Sequence, residues 1–210
     1  VIGETQLETD TIFRTKAIKE QAPIYFADQL VEVSYPTSLK GDYQVHNVQT
    51  VLQTITVLNS GPFRIPTEVV QQGLLKVTEN TGLRGRWEVL GSSPKIICDT
   101  AHNREGLRLV FKQLQSEKFQ RLHLVLGMVN DKDVLSLLKL FPKQAQYYFC
   151  KPNVPRGLEA SQLAQIFNEY GFEGSVHSSV NEALNAAKQS ASQDDLIYIG
   201  GSTFVVAEII

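Results

Sequence analysis

The chain has few of the residues that announce a chemistry. Two cysteines, one methionine and one tryptophan occur in 210 residues. Two cysteines make no disulfide framework. There is no Cys-x-x-Cys, and no two of His46, His102, His123 and His177 stand at metal-ligand spacing, so no zinc site is written into the sequence. Neither sign of charge dominates: 20 basic against 22 acidic residues leave −2, which argues against a binder of phosphate backbones. No apolar run approaches the roughly 18 residues of a membrane span, and no charged start, apolar stretch and small-residue cleavage site suggests secretion. The phosphate loop Gly-x-x-x-x-Gly-Lys-Ser/Thr is missing. So are Gly-x-Gly-x-x-Gly, the support of a nicotinamide or flavin reading, and the Gly-x-Ser-x-Gly nucleophile turn. There is no internal repeat and no low-complexity tract.

What is there suffices for a real core. Hydrophobic residues make up 42% and charged residues 20%, the balance of a folded chain with room for one large or two small domains. The sequence opens on Val1, so it is expected to be a processed form or an excised piece of something longer.

From about Arg86 onward, strands and helices alternate. Lys95–Cys98 is a short apolar run leading into Asp99 and reads as a buried strand. Glu105–Ser116 carries Leu107, Val110, Phe111 and Leu114 at helical spacing. Strands follow at Leu122–Leu126, Ala145–Cys150, Ser175–His177 and Leu196–Ile199. Helices are expected at Asp131–Phe141 with Asp131 as N-cap, at Glu159–Tyr170 stopped by Gly171, at Val180–Ser190 and at Thr203–Ile210. Continuous apolar strands flanked by amphipathic helices imply an α/β fold: a mostly parallel, doubly wound, Rossmann-like sheet covered on both faces. Such sheets bind ligands at the carboxyl ends of their strands, here the turns after Cys98, Leu126, Cys150 and Ile199.

The first part is less regular. Pro23–Ala27 reads as a strand and Ser34–Tyr43, with Pro36 and Gly41, as loop or hairpin. His46–Leu58 reads as a helix with Val48, Val51, Leu52, Ile55 and Leu58 on one face. Pro66–Thr78 reads as a second helix. These make a poor independent core, so the segment is expected to pack against chain that is not in this sequence.

Five stretches can carry chemistry, each with a plain structural alternative. In Asp99-Thr100-Ala101-His102-Asn103, a carboxylate and an imidazole share a strand-to-helix turn. The carboxylate suits ribose hydroxyls or a cation, and the imidazole a base or an oxyanion; a helix cap with an incidental surface histidine accounts for the run equally well. Arg84-Gly85-Arg86-Trp87-Glu88 suits a phosphate clamp or a solvated linker anchored by Trp87. Gly200-Gly201-Ser202-Thr203 suits an anion seat in which Ser202 bonds a carboxylate, or a tight turn with an N-cap. Gly127–Asp133 and Gln44-Val45-His46-Asn47 are explained largely by turns and caps. Cys98 and Cys150, in apolar strands, are expected to be buried and inert.

Taken together and in order, these stretches resemble folylpolyglutamate synthase and the bifunctional dihydrofolate synthase of the Mur ligase superfamily. Asp99–Asn103 is similar to that family's Asp-Gly-Ala-His-Asn-Pro signature, with Thr100 in place of glycine and Arg104 in place of proline. Gly85–Glu88 is similar to its Gly-Arg-x-Glu, Gly127–Asp133 to its Gly-x-x-x-Asp-Lys-Asp turn, and Gly201-Ser202 to its late Gly-Ser. His46-Asn47 falls where the family opens a central-domain helix on asparagine. Val1–Glu4 is similar to the segment just beyond its Lys-Ala-Gly-Ile.

The resemblance implies a division at 1–84, the tail of a central ATP-binding domain, and 85–210, a Rossmann-like glutamate-ligase domain. It implies a parent that joins L-glutamate to dihydropteroate or folate. ATP phosphorylates the acceptor carboxylate, the glutamate amine attacks the acyl phosphate, and phosphate leaves. By the same analogy Asn47, Arg86 and Asp99 contact ATP at base, phosphates and ribose. His102 and Ser202 hold nucleotide or glutamate, with His102 the catalytic candidate. Magnesium is implied, with its ligands upstream of this chain, so the chain alone is expected to show no ligase activity and weak nucleotide affinity. A cytoplasmic monomer without nucleic-acid or membrane partners is expected. Two other readings remain: a cell-wall Mur ligase, or a non-catalytic nucleotide-binding α/β domain.

Overall fold

The computed structural model describes residues 1–131 and 133–210 and divides into two compact units, Val1–Leu83 and Arg84–Ile210.

The first unit is helical. It comprises α1 (Leu7–Lys19), α2 (Ala27–Leu30), α3 (Gln44–Ser60), α4 (Thr67–Leu75) and α5 (Val77–Thr81). The strand expected at Pro23–Ala27 is reduced to a single parallel bridge, Ile2 to Phe26, because α2 begins at Ala27. The single helix expected over Pro66–Thr78 is two, broken at Lys76. Helix α1 had no sequence signal: its apolar residues form no stripe and none is buried. Four apolar residues of this unit are buried: Phe26, Ala27, Val48 and Leu74.

The second unit is a six-stranded sheet in the order β1-β2-β6-β3-β4-β5. The strands are β1 (Glu88–Ser92), β2 (Lys95–Cys98), β3 (Leu122–Leu126), β4 (Gln146–Phe149), β5 (Gly174–Val176) and β6 (Leu196–Gly200). All neighbours pair in parallel except β1 with β2, which is the mostly parallel fold expected from the apolar strands. The antiparallel β1 lacked a sequence signal, since Gly91 and a bulge near it break its alternation.

The helices are α6 (Arg104–Leu114), α7 (Val134–Leu137), α8 (Ala160–Glu169), α9 (Val180–Ser190) and α10 (Thr203–Ala207). The helix expected over Asp131–Phe141 is one turn of α7 followed by a 3-10 turn at Leu138–Leu140; its N-cap is Asp133, whose side chain accepts from the Ser136 N–H at 3.3 Å. Lys132 lies outside the described residues. Helix α10 stops at Ala207 rather than reaching Ile210.

Alternation along the strands loads both faces of the sheet. Ile96, Cys98, Val125, Tyr148, Ile197 and Ile199 join Val180, Ala183, Leu184 and Ala187 of α9 and Val205 and Val206 of α10 in one cluster. On the opposite face Phe111 of α6 meets Tyr198 at 6.0 Å, and Phe167 of α8 meets Phe149 at 5.2 Å and Phe141 at 5.1 Å. His123 is a satisfied core histidine, its ring nitrogens 3.0 Å from the Tyr148 hydroxyl and 3.3 Å from Asp195. Burial pushes the thiols of Cys98 and Cys150 up to about 12, so neither is a nucleophile at neutral pH. No helix among the described residues is long and apolar enough to cross a membrane.

Candidate functional site

The strand order sets β6 between β2 and β3. The turns that follow these three strands therefore share one edge, the carboxyl edge where open α/β sheets bind ligands. The ladder continues into them: the Asp99 N–H donates to Ile199 O at 3.2 Å, and the Gly127 N–H to Gly200 O at 3.4 Å.

Glycines let the turns interlock. A Cβ at Gly201, where φ is +88°, would meet Leu126 Cδ1 at 2.5 Å and Gly127 O at 2.8 Å. One at Gly127 would meet Val205 Cγ2 at 2.7 Å. Only glycine fits such backbone approaches without displacement.

The Gly85–Glu88 stretch folds over the end of β2. Gly85 has φ +70° and packs so near Thr100 and Val206 that a Cβ would lie 2.9 Å from each. The Thr100 N–H donates to Gly85 O at 2.9 Å. Trp87 is left-handed with φ 49°, a rare state for a non-glycine residue, and buried. Its N–H donates to Asp99 Oδ2 at 2.7 Å, while the Ala101 N–H donates to Asp99 Oδ1 at 2.8 Å. Asp99 is 1% exposed. Its carboxylate ties two backbone segments together, and a ribose cannot reach it in this conformation.

The two arginines part company. Arg84 pairs with Glu88. Burial pushes the Glu88 carboxyl up, but Arg84 and the Gly85 N–H outweigh it and hold the carboxyl below its ordinary value. Arg86 instead donates from Nη1 to Thr100 Oγ1 at 2.7 Å, with its side chain otherwise exposed. A single planar fork on one hydroxyl leaves further N–H groups to meet an anion.

His102 is tied to the same residue. Its Nδ1 lies 3.0 Å from Thr100 O. A carbonyl only accepts, so Nδ1 carries a proton, which leaves Nε2 as the nitrogen that can gain or lose one. Thr100, which stands where the resemblance expects glycine, is not among the residues with positive φ. Its hydroxyl seats Arg86 and its carbonyl seats His102. Asn103 caps α6, accepting from the Gly106 N–H at 2.8 Å.

Ser202 is 2% exposed; its Oγ accepts from the Phe204 N–H at 3.2 Å and donates to no partner among the described residues. The turn is thus an N-cap whose O–H remains unused. Asn47 belongs to the first unit: helix α3 begins three residues earlier, at Gln44, and the Asn47 side chain donates to Gln44 Oε1 at 2.8 Å. The structure therefore unites Arg86, Asp99 and His102 at one turn, sets Ser202 on the neighbouring strand end, and leaves Asn47 on a separate unit.

Sequence reasoning missed two contributors, the Thr100 hydroxyl and Arg156. The turns after β3 and β4 are zipped by Asn130 N–H to Arg156 O and Leu158 N–H to Met128 O, both 2.9 Å. Arg156 pairs with Asp131 at 3.1 Å and lies 5.0 Å over the Phe204 ring. Its only sequence signal was its place in the Pro- and Gly-bounded turn after Cys150.

Residues 85–203 match the family model described as "Mur ligase, glutamate ligase domain". The chain is 30% identical over 212 aligned residues to a probable bifunctional folylpolyglutamate synthase/dihydropteroate synthase of Haloferax volcanii, covering 99% of this chain and 24% of that protein. It resembles a solved bifunctional folylpolyglutamate synthase/dihydrofolate synthase with Mn, AMPPNP and L-glutamate bound, at 27% identity and TM-score 0.70, covering 86% of this chain and 41% of that one. It shares the fold of Mycobacterium tuberculosis folylpolyglutamate synthase, complexed with ADP and AMPPCP, at TM-score 0.84 and 21% identity over 99% of this chain and 54% of that one. The chain thus spans about a quarter of the length of the Haloferax relative. A match across more than half of the chain, over the unit that carries this turn, makes the chain a member of the Mur ligase family through its glutamate ligase domain.

Proposed function

We propose that this chain is the carboxy-terminal part of an ATP-dependent ligase that joins L-glutamate to dihydropteroate or folate through an acyl phosphate. In this reading residues 1–84 are the tail of a central ATP-binding domain and 85–210 the glutamate-ligase domain. The parent works in the cytoplasm as a monomer, with ATP, magnesium, glutamate and the pteroyl acceptor as partners and no nucleic acid or membrane.

The observation that carries the reading is the attachment of Arg86 and His102 to the two polar ends of Thr100, beside buried Asp99. Phosphoryl transfer calls for positioned positive charge more than for covalent help. Arg86, anchored at one N–H and exposed at the rest, fits a phosphate. His102, with Nε2 free to accept, fits the amino group of the incoming glutamate and can take a proton from it as the amide forms. The unused Ser202 O–H fits a carboxylate, once the turn opens enough to admit one. Asp99 is a positioning residue: it holds the Trp87 turn and through it Arg86. Contact with ribose requires the Trp87 or Ala101 bond to open. Asn47 contributes near the base from the first unit. The relative that contains Mn, AMPPNP and L-glutamate supports the choice of ligands.

Trp87 is the only tryptophan in the chain and adjoins Arg86, so its emission tests the reading directly. Titration with ADP and magnesium is expected to change it saturably, at micromolar to millimolar concentration. Arg86→Ala is expected to abolish the change with the fold intact by circular dichroism. Emission indifferent to nucleotide, or a response that survives Arg86→Ala, overturns the assignment. Submicromolar binding or turnover by the 210-residue chain alone contradicts the division of labour with the parent.

A further inference from the structure

We propose that Arg104 is a specificity-determining residue beside His102 that takes the side-chain carboxylate of the incoming glutamate, a role that rests on the ligase reading above and adds to it the group that selects an acidic amino acid.

Charge at the carboxyl edge of the sheet singles this residue out. The described basic residues of the turns along that edge are Arg84, Arg86, Arg104, Lys151 and Arg156. Three are neutralised by acids: Arg84 by Glu88, Lys151 by Glu159 and Arg156 by Asp131. Arg86 and Arg104 pair with no acid among the described residues. Glu105, next to Arg104 in the chain, pairs with Arg108 at 3.1 Å. Asp133 caps α7, accepting from the Ser136 N–H at 3.3 Å. Arg104 itself donates from Nη2 to Ser136 O at 3.0 Å and is exposed. That bond holds the guanidinium between the starts of α6 and α7. The rest of its planar fork stays open, the shape that a carboxylate accepts.

The backbone does not call for arginine here. Arg104 is the first residue of α6, and Asn103 before it is extended, with φ −113° and ψ 169°. Residues that precede proline take such a conformation, and proline is favoured at the first position of a helix. The Arg104 N–H, the one donor that proline would remove, bonds nothing among the described residues. A cation in the first turn also opposes the helix dipole. Arginine thus stands against both local preferences where proline, which the resemblance expects, would fit. Departures of this kind fall at functional positions.

Two anions meet this edge in the proposed reaction, a nucleotide phosphate and glutamate, and two arginines there lack an acid. Arg86 is given to phosphate. One extended residue separates Arg104 from His102, so their Cα atoms lie roughly 7 Å apart. A glutamate whose amine meets His102 extends two methylenes before its second carboxylate, toward a fork on that neighbouring residue. The neutral Ser202 hydroxyl suits the α-carboxylate that every amino acid carries. A charged fork is what tells an acidic side chain from a neutral one of equal size.

The probes are L-glutamate and L-glutamine, titrated by NMR into the isotopically labelled 210-residue chain with ADP and magnesium present. Glutamate is expected to bind at least about tenfold tighter than glutamine. Arg104→Gln is expected to erase that margin by weakening glutamate alone, and Arg104→Lys to keep part of it. Arg104→Pro, whose backbone demand is already met, is expected to erase it too, with a melting temperature no lower than that of the unaltered chain; this separates lost recognition from a lost fold. The Arg104 Nε–H resonance is expected to move with glutamate and not with glutamine. Absence of glutamate binding overturns the proposal, as does equal binding of the two amino acids to the unaltered chain. Equal loss of both in Arg104→Gln overturns it in favour of a brace between α6 and α7. Trp87 emission in the unaltered chain tests the ligase reading separately. A saturable response to ADP and magnesium without discrimination between the amino acids refutes the role of Arg104 alone, and no response refutes both.

Discussion

The two units spend their apolar residues differently. In the second, every residue of β3 and β6 is buried and both sheet faces are covered. In the first, four apolar residues are buried while Leu7, Ile12, Ile18, Leu30, Val33, Phe63, Val69 and Leu75 are each more than half exposed. Apolar burial is the main favourable term in folding, so a shared helical content conceals unequal stability. The difference teaches that the site-bearing unit has a frame that stands alone, whereas the first unit offers surface.

The largest test of that contrast is to separate the units. Residues 84–210 expressed alone are expected to melt in one cooperative transition, and residues 1–83 to melt broadly with weak near-ultraviolet dichroism. A sharp melt of 1–83 breaks the comparison. Next comes a core deletion in each. Phe167→Ala removes a ring packed on Phe141, Tyr147, Phe149 and Phe172 and is expected to cost about 3–5 kcal/mol in denaturant titration. Leu74→Ala, in the thin core, is expected to cost about 2 kcal/mol; equal costs would remove the contrast.

Glycine substitutions give effects of opposite sign. Gly201→Ala forces an alanine to φ +88° against Leu126 and the Gly127 carbonyl and is expected to destabilise by more than about 1 kcal/mol. Gly73→Ala, inside α4 with nothing within 4 Å of the new Cβ, is expected to stabilise by about 0.5–1 kcal/mol. Acid has the smallest expected effect. Burial raises the Asp195 carboxyl, but the Ser192 N–H, His123 and the Arg121 N–H outweigh it, so Asp195, like Glu88, titrates below its ordinary value in the fold. Depressed carboxyls stabilise above their unfolded values, 3.8 for Asp195 and 4.5 for Glu88, and that stability is lost as pH falls through the folded ones. Melting temperatures of residues 84–210 are expected to decline below about pH 4.5, less steeply in Glu88→Gln; a flat profile would show these carboxyls to be idle.

The parallel sheet was legible because runs such as Leu122–Leu126, with His123 its one polar residue, and Leu196–Ile199 are almost wholly apolar, and Val180–Ser190 was legible to the residue because Ser179 caps it and its apolar stripe is clean. Helix α1 was not, because an exposed helix carries no periodicity to read. Strand β1 was not, because it is an edge strand interrupted by Gly91. At the candidate site the residue types were readable but the wiring was not. Asp99 serves backbone groups at position 87 as well as its own turn, and Arg84 and Arg86, alike on paper, are sent to different partners. Such pairings depend on the hairpin of β1 with β2, which no local pattern encodes.

That hairpin gives Trp87 a lasting role. A bulky residue in a left-handed pose relaxes when released, and the tether is a carboxylate twelve positions along the chain. Neutralising or shortening that tether would let the indole's peptide flip and swing the preceding guanidinium off its seat. The cation proposed to face phosphate would then fall silent through damage to an acid that no nucleotide need ever touch.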